Sequence, residues 1–314
     1  MTTKHTAARQ CEVAIIGGGP AGMSAALTAG RALLDTVIVN AESPRNAVTA
    51  ASHGFLTRDG AHPTELLAAA KGQLAKYESV HYREDTVISA LATEKGFEIT
   101  LTGGEHVVAA RLIIATGYAD DLRKLDIAGI EDVYGRSVYP CIFCDGFEHR
   151  GERLALFGRE GAIHYAPMVR LWADDLIVFT NGAVLSSDEV ADLDRHRMQV
   201  YTSPIDRLDS TDGRLRAVEL ATGECVERDA GFISDDYSTP SSTFAESLGV
   251  TSSMNEWGMT ALDSTETGGT NVPGLYVIGD ARTGFSGLIA AAAEGAACAE
   301  TIVHDMAAER WSSQ

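Results

Sequence analysis

The chain has 314 residues, 45% hydrophobic and 22% charged, which fits a soluble globular protein with room for two domains. A formal net charge of −19 repels nucleic-acid phosphates and disfavours anionic membranes, so neither is expected as a partner. No apolar run reaches the roughly 18 residues of a membrane span. The opening MTTKHTAARQ carries no apolar signal core, so a cytoplasmic protein is expected.

In chain order, a buried strand is read over 12–16, then a glycine-rich turn, a helix over 21–33 and a strand over 36–40. Such short connections build a βαβ unit on a parallel sheet. An amphipathic helix follows over 63–77, then strands over 80–90, 96–101, 106–110 and 111–118. A second strand–turn–helix–strand unit is read over 153–158, 161–173 and 175–181. Strands over 198–201, 214–220 and 225–233 come next, then one over 274–280 and a long helix from about 287 to 308. The pattern is that of an α/β protein.

The first turn, Gly17-Gly18-Gly19-Pro20-Ala21-Gly22, holds the spacing G-x-G-x-x-G between a strand and a helix. Gly17 allows the tight turn, Gly19 lets backbone approach a pyrophosphate, and Gly22 permits close helix–strand packing. The helix N-terminus then offers its amides to phosphate. A ribose contact belongs at the end of the second strand. Asn40 stands there and Glu42 two residues beyond, and the pattern does not decide between them. Near the other end, Ile278-Gly279-Asp280 closes a strand before a Gly/Ala-rich helix. Asp280 there can bond ribityl hydroxyls, and the helix can stabilise negative charge on a reduced flavin. Together with Ala115-Thr116-Gly117, this favours FAD over NAD.

Five cysteines in a cytoplasmic chain do not make a disulfide scaffold. Cys11, Cys225 and Cys298 stand alone and read as small apolar residues. Cys141 and Cys144 form a C-x-x-C pair before Asp145-Gly146, with Pro140 stiffening the approach. Two cysteines so spaced at a helix start can close a small disulfide, and the helix end favours the thiolate. A zinc site needs a second Cys or His pair; there is no second C-x-x-C and the nine His are scattered, so no metal is expected. His149 is a candidate base five residues past Cys144, although a lone His near a loop is more often simply solvated.

GGGPAG, ATG, CxxCDG and YVIGD occur in the order and spacing of the low-molecular-weight thioredoxin reductases, which the chain resembles over nearly its full length. The resemblance implies two Rossmann-like, three-layer domains: a discontinuous FAD domain over 1–118 and 247–314, and an inserted one over 119–246 carrying the cysteines. It also implies a homodimer. It extends the cofactor-binding set to Gly17, Gly19, Pro20, Ala21, Gly22, Asn40, Arg45, Asn46, His53, Thr116, Gly117, Asp280, Leu288 and Ile289. It gives Asp145 the role of proton shuttle, Cys144 the flavin-facing thiolate and Cys141 the substrate-facing sulphur. Pro44-Arg45-Asn46, the stretch from His53 to Gly60, GFEHRGE and Arg170-Leu171-Trp172 resemble one subgroup. That subgroup includes dithiol oxidases that close the disulfides of holomycin and gliotoxin.

The second turn, Phe157-Gly158-Arg159-Glu160-Gly161-Ala162, lacks the middle glycine, replaced by Arg159 or Glu160 depending on alignment. A side chain there obstructs a pyrophosphate, and Glu160 would repel it. No basic run follows Phe179-Thr180-Asn181-Gly182 to hold a 2′-phosphate. The expectation is therefore a dithiol oxidase. A small-molecule dithiol would reduce the Cys141–Cys144 disulfide, and O2 would take the electrons as hydrogen peroxide. The other reading is a reductase of a thioredoxin-like protein fed by ferredoxin or NADPH.

Overall fold

The computed structural model describes residues 8–159, 161–254 and 260–313. Glu160, one of the two residues read as replacing the middle glycine, lies outside them. The chain forms two compact units. One comprises the described residues up to Arg45, Thr64–Ala119 and those from Thr239 onward; the other comprises Asn46–Pro63 and Asp120–Ser238.

The first unit is built on a seven-stranded sheet. Val80–Glu84, Thr36–Asn40, Arg9–Ile16 and His106–Ile114 lie side by side and parallel. The strands expected over 106–110 and 111–118 are one continuous strand. Its first half pairs antiparallel with Gly96–Leu101, and its second half pairs parallel with Leu275–Val277. Both sheet faces are covered, which is why Val13-Ala14-Ile15-Ile16 is an unbroken apolar run. Val13 and Ile15 face a core with the Pro20–Arg31 and Leu288–Ser312 helices, while Ala14 and Ile16 face a second core with Val37, Ile99 and Leu112. Those two helices touch through small residues: a side chain at Gly295 would stand 2.0 Å from the Ala21 carbonyl oxygen.

The second unit carries a parallel sheet of five strands, in the order Gln199–Tyr201, Leu176–Phe179, Leu154–Phe157, Ala230–Ile233 and Val138–Tyr139. Beside it runs an antiparallel sheet of Ile205–Thr211, Arg214–Leu220 and Cys225–Glu227. The strand expected over 225–233 is therefore two strands in two sheets. Arg228 and Asp229 break it: the Asp229 carboxylate takes the Arg153 backbone amide and guanidinium, and Arg228 reaches Asp175 at 2.6 Å. The helix Ser187–Arg195 was absent from the sequence reading, although its capping box, Ser186 with Glu189, is written in the sequence.

The units meet the chain at 119/120 and 238/239, where the sequence reading placed its crossings at 118/119 and 246/247. Residues 239–242 stay with the first unit through Ser241 N–H on the Gly117 carbonyl and a Thr116–Ser242 hydroxyl contact of 2.9 Å. The Asn46–Pro63 segment counts with the second unit, an excursion no sequence period announces.

Candidate active site

The first glycine turn is shaped by backbone crowding on one side and open space on the other. Gly17 has φ +106°, and a side chain there would stand 2.2 Å from the Ala115 carbonyl oxygen. One at Gly22 would stand 1.9 Å from the Gly17 oxygen. At Gly19 nothing lies within 4 Å. The following helix, Pro20–Arg31, has no side-chain cap and no acid in its first turn, so Ala21 and Gly22 belong to an uncapped, positive helix end. Asn40 buttresses the turn by accepting the Gly18 amide at 3.1 Å. Its amide nitrogen donates to Tyr82 at 2.8 Å and to Glu42 at 3.2 Å. Glu42 also receives Lys71 at 2.5 Å. Against partial burial, hydrogen bonds from Lys71 and Tyr82 hold the Glu42 carboxyl below the usual carboxylate range. Asn40 thus serves the turn, while the carboxylate at this strand end is Glu42.

At the other end of the same unit, Asp280 accepts the Ser286 amide and hydroxyl at 2.9 and 2.8 Å. Arg45 lies 3.7 Å from Asp280 and stacks over Phe285. Gly279, at φ +64°, donates its amide to Glu294, which also pairs with Arg282 at 2.9 Å. The Leu288–Ser312 helix opens with no side-chain cap and no acid in its first turn, with Leu288 half-buried and Ile289 exposed. Gly17, Gly19, Pro20, Ala21, Gly22, Asn40, Arg45, Thr116, Gly117, Asp280, Leu288 and Ile289 all lie in this unit. Asn46 and His53 lie in the other. Asn46 bonds Ser52 at 3.2 Å, and His53 faces Glu148 at 3.7 Å.

The cysteine segment belongs to the second unit. Cys141 and Cys144 are joined as a disulfide with Cα atoms 5.3 Å apart. Cys141 caps the single-turn helix Ile142–Asp145, its sulphur accepting the Cys144 amide at 3.1 Å. The following Gly146 is required by packing: a side chain there would stand 2.5 Å from the Ile142 oxygen and 3.2 Å from the Trp172 ring. Cys141 is buried, with 6% of its surface exposed, and Cys144 is half-buried. Burial pushes the Asp145 carboxyl up to about 7; His53 opposes this and Glu148 adds to it. His149 stands in a separate network, with Glu152 at 2.8 Å on Nδ1 and the Tyr139 hydroxyl at 3.1 Å on Nε2. The histidine whose charge acts on Asp145 is His53, which the sequence reading placed in the cofactor set. Elsewhere, burial pushes the Cys11 and Cys298 thiols up to about 12, which leaves them inert.

The second turn ends differently from the first. Ser234 fills the space beside Gly158, its hydroxyl 2.0 Å from where a side chain would begin. The Arg159 amide is already taken by the Asp235 carboxylate at 2.6 Å, and the Arg159 guanidinium holds the Leu125 carbonyl at 2.9 Å. At the next strand end Asn181 accepts the Ile205 amide at 2.9 Å. Sequence reading missed Asp235; the signal was an acidic pair, Asp235-Asp236, one residue beyond the buried strand Ala230–Ile233.

Residues 11–158 match the family of pyridine nucleotide-disulphide oxidoreductases. A Bacillus anthracis protein assigned as thioredoxin reductase TrxB is 33% identical to this chain. The match covers 96% of this chain and 99% of that one, with a TM-score of 0.89. The chain belongs to the pyridine nucleotide-disulphide oxidoreductase family. Within it, the chain is thioredoxin reductase-like in fold. HlmI is 29% identical, over 100% of this chain and 97% of that one, with a TM-score of 0.88. Thioredoxin reductase aclD of Aspergillus oryzae is 28% identical, over 93% of this chain and 95% of its own length.

Members of this oxidoreductase family bind FAD, and the residues present fit it. The open face of Gly19 and the acid-free helix end suit a pyrophosphate. Asp280 and the uncapped Leu288–Ser312 helix suit the flavin end.

Proposed function

We propose that the protein is an FAD-dependent dithiol oxidase that closes an intramolecular disulfide in a small-molecule dithiol. One contrast carries this reading. The Cys141–Cys144 disulfide is built, whereas the amide that would greet a nicotinamide dinucleotide is bonded to the chain's own Asp235. A carboxylate in that place repels a pyrophosphate as well as occupying its donor. Thioredoxin reductase aclD and the Bacillus anthracis TrxB, matched over nearly the whole chain, support thiol–disulfide exchange at this pair.

In this reading a substrate thiolate attacks Cys141 Sγ, the S–S bond breaks, and Cys144 leaves as a thiolate. The second substrate thiol then attacks its own sulphur in the mixed disulfide and expels Cys141. Product leaves as a cyclic disulfide, and the protein holds two reduced sulphurs. Bound FAD supplies a two-electron acceptor that O2 re-oxidises, yielding hydrogen peroxide. Asp145, with its raised proton affinity, takes and returns protons at the sulphurs. Because Cys141 is buried, its segment opens for substrate to enter. The working form is a homodimer.

A second reading, reduction of a thioredoxin-like protein, draws support from Phe143 and Phe147, which flank Cys144 and are 70% and 63% exposed. One experiment separates the two. Under the oxidase reading, a panel of small dithiols drives oxygen consumption and bleaches the flavin anaerobically, while NADPH does neither. Rapid anaerobic flavin reduction by NADPH, with no dithiol-driven oxygen uptake, overturns it.

A further inference from the structure

The strand Leu275–Val277 runs out into a turn that only glycine makes. The Ile278 amide forms the last bond across the sheet, to the Ile114 carbonyl at 3.0 Å. Gly279 then takes φ +64° and ψ −150°, a region essentially closed to other residues. Its amide has left the sheet and needs an acceptor. Glu294 supplies one at 2.9 Å, from the second turn of the Leu288–Ser312 helix. The two Glu294 oxygens also take the Arg282 fork, Nε at 3.1 Å and Nη2 at 2.9 Å. Both side chains are largely buried, Arg282 at 22% exposure and Glu294 at 16%. The next residue in the turn, Asp280, is the group that suits the flavin end, and its Oδ1 is held by Ser286.

Two demands meet in this arrangement. The turn must be fixed, and the nearby helix end must stay positive. An acid in the first turn of the helix would spoil that end, and there is none. Glu294 lies six residues beyond Leu288, about 9 Å along the axis. Standing alone, its carboxylate would still oppose negative charge on a reduced flavin. Arg282 removes that opposition without releasing the Gly279 amide. We propose that the Glu294–Arg282 pair positions the flavin-facing turn while cancelling its own charge there. Glu294 sets the place of Asp280, and Arg282 lets the helix end keep its positive field. Both are positioning residues, acting through the turn and the field. The proposal goes beyond the choice of substrate and holds for either reading of the thiol chemistry.

The test uses the flavin-loaded protein carrying Cys141→Ser and Cys144→Ser, so that the flavin is the sole electron acceptor. Flavin midpoint potentials are read anaerobically against a dye of known potential. Glu294→Gln keeps an oxygen for the Gly279 amide and leaves Arg282 unbalanced. The reduction equilibrium then shifts about tenfold toward reduced flavin, about 30 mV for a two-electron couple. Arg282→Met leaves Glu294 unbalanced and shifts it about tenfold the other way. The double variant returns to within about threefold of the parent. FAD dissociation, read from the fluorescence of released flavin, separates the turn from the field. Glu294→Ala removes the acceptor and loosens FAD about tenfold, whereas Glu294→Gln loosens it less than about threefold. A pair with a merely structural role would shift both single variants the same way or not at all, and either result overturns the proposal. So does a Glu294→Ala protein that holds FAD as tightly as its parent. Where Glu294→Ala does not fold, the opposed Gln and Met potentials decide. A parent protein that binds no FAD ends the assignment of this unit to flavin, and the proposal with it.

Discussion

The two glycine turns of this chain start alike and end in opposite chemistry. Each follows a buried parallel strand and opens a helix. In the first, Gly19 faces empty space and the helix end carries no acid. In the second, Ser234 crowds Gly158 and Asp235 occupies the Arg159 amide. A strand–turn–helix frame is therefore no proof of a nucleotide; the donors at its tip must also be unspent. The second unit keeps the frame and puts its reactive groups elsewhere, on the Cys141–Asp145 turn.

The comparison breaks most completely if the first turn is disabled. Gly22→Val puts a branched side chain where a single carbon already stands 1.9 Å from the Gly17 oxygen. We expect no flavin to be retained, read from the ratio of 450 to 280 nm absorbance. Circular dichroism shows whether the fold survives. A yellow Gly22→Val protein would mean that the cofactor is held somewhere else. Next in size, Cys144→Ser leaves the first unit intact and removes the sulphur chemistry of the second. Dithiol turnover falls more than about a thousandfold while flavin content stays at wild-type level.

Much of the frame was legible because short-range patterns dictate it. The strand expected over 36–40 is Thr36–Asn40, since four consecutive buried residues between turns suit a strand covered on both faces. The long C-terminal helix was legible from its small-residue run, and it extends to Ser312. The break at Arg228–Asp229 was not legible, because it depends on Arg153 and Asp175, which are distant in sequence. The same holds for the site. Cys141, Cys144 and Asp145 announce themselves by spacing. His53 and Asp235 gain their places only through chain crossings, and a neighbour 76 or more residues away leaves no local period. The Ser186–Glu189 capping box is a different failure: the signal was local and was passed over.

A smaller effect separates the acid-free first turn from the acid kept beside the cysteines. Burial holds the Asp145 carboxyl near 7 against an ordinary 3.8. The folded chain keeps a proton that the unfolded chain loses as pH rises from about 4 to 7. Stability therefore falls across that window, and the deficit is complete above pH 7. Asp145→Asn removes this dependence. Urea unfolding at pH 5 and pH 8 should show the variant losing about 2–4 kcal/mol less than wild type between the two. Equal losses would mean that Asp145 ionises freely in the folded protein.

The smallest predicted effect goes to the centre of the comparison. If Asp235 spends the donor of the second turn, Asp235→Ala frees the Arg159 amide and removes a repelling charge. NADPH should then bind about tenfold more tightly, since a hydrogen bond to a charged group contributes about 1.5–3 kcal/mol. Binding should remain weak in absolute terms, because Ser234 still fills the space beside Gly158 and no basic pair receives the 2′-phosphate. Fluorescence titration of NADPH against both proteins measures the difference. Unchanged affinity would show that steric filling at Gly158 closes the turn by itself. Tight binding by the wild type would show that the two turns are equivalent after all, and would remove the reason for preferring oxidation of a dithiol over its reduction.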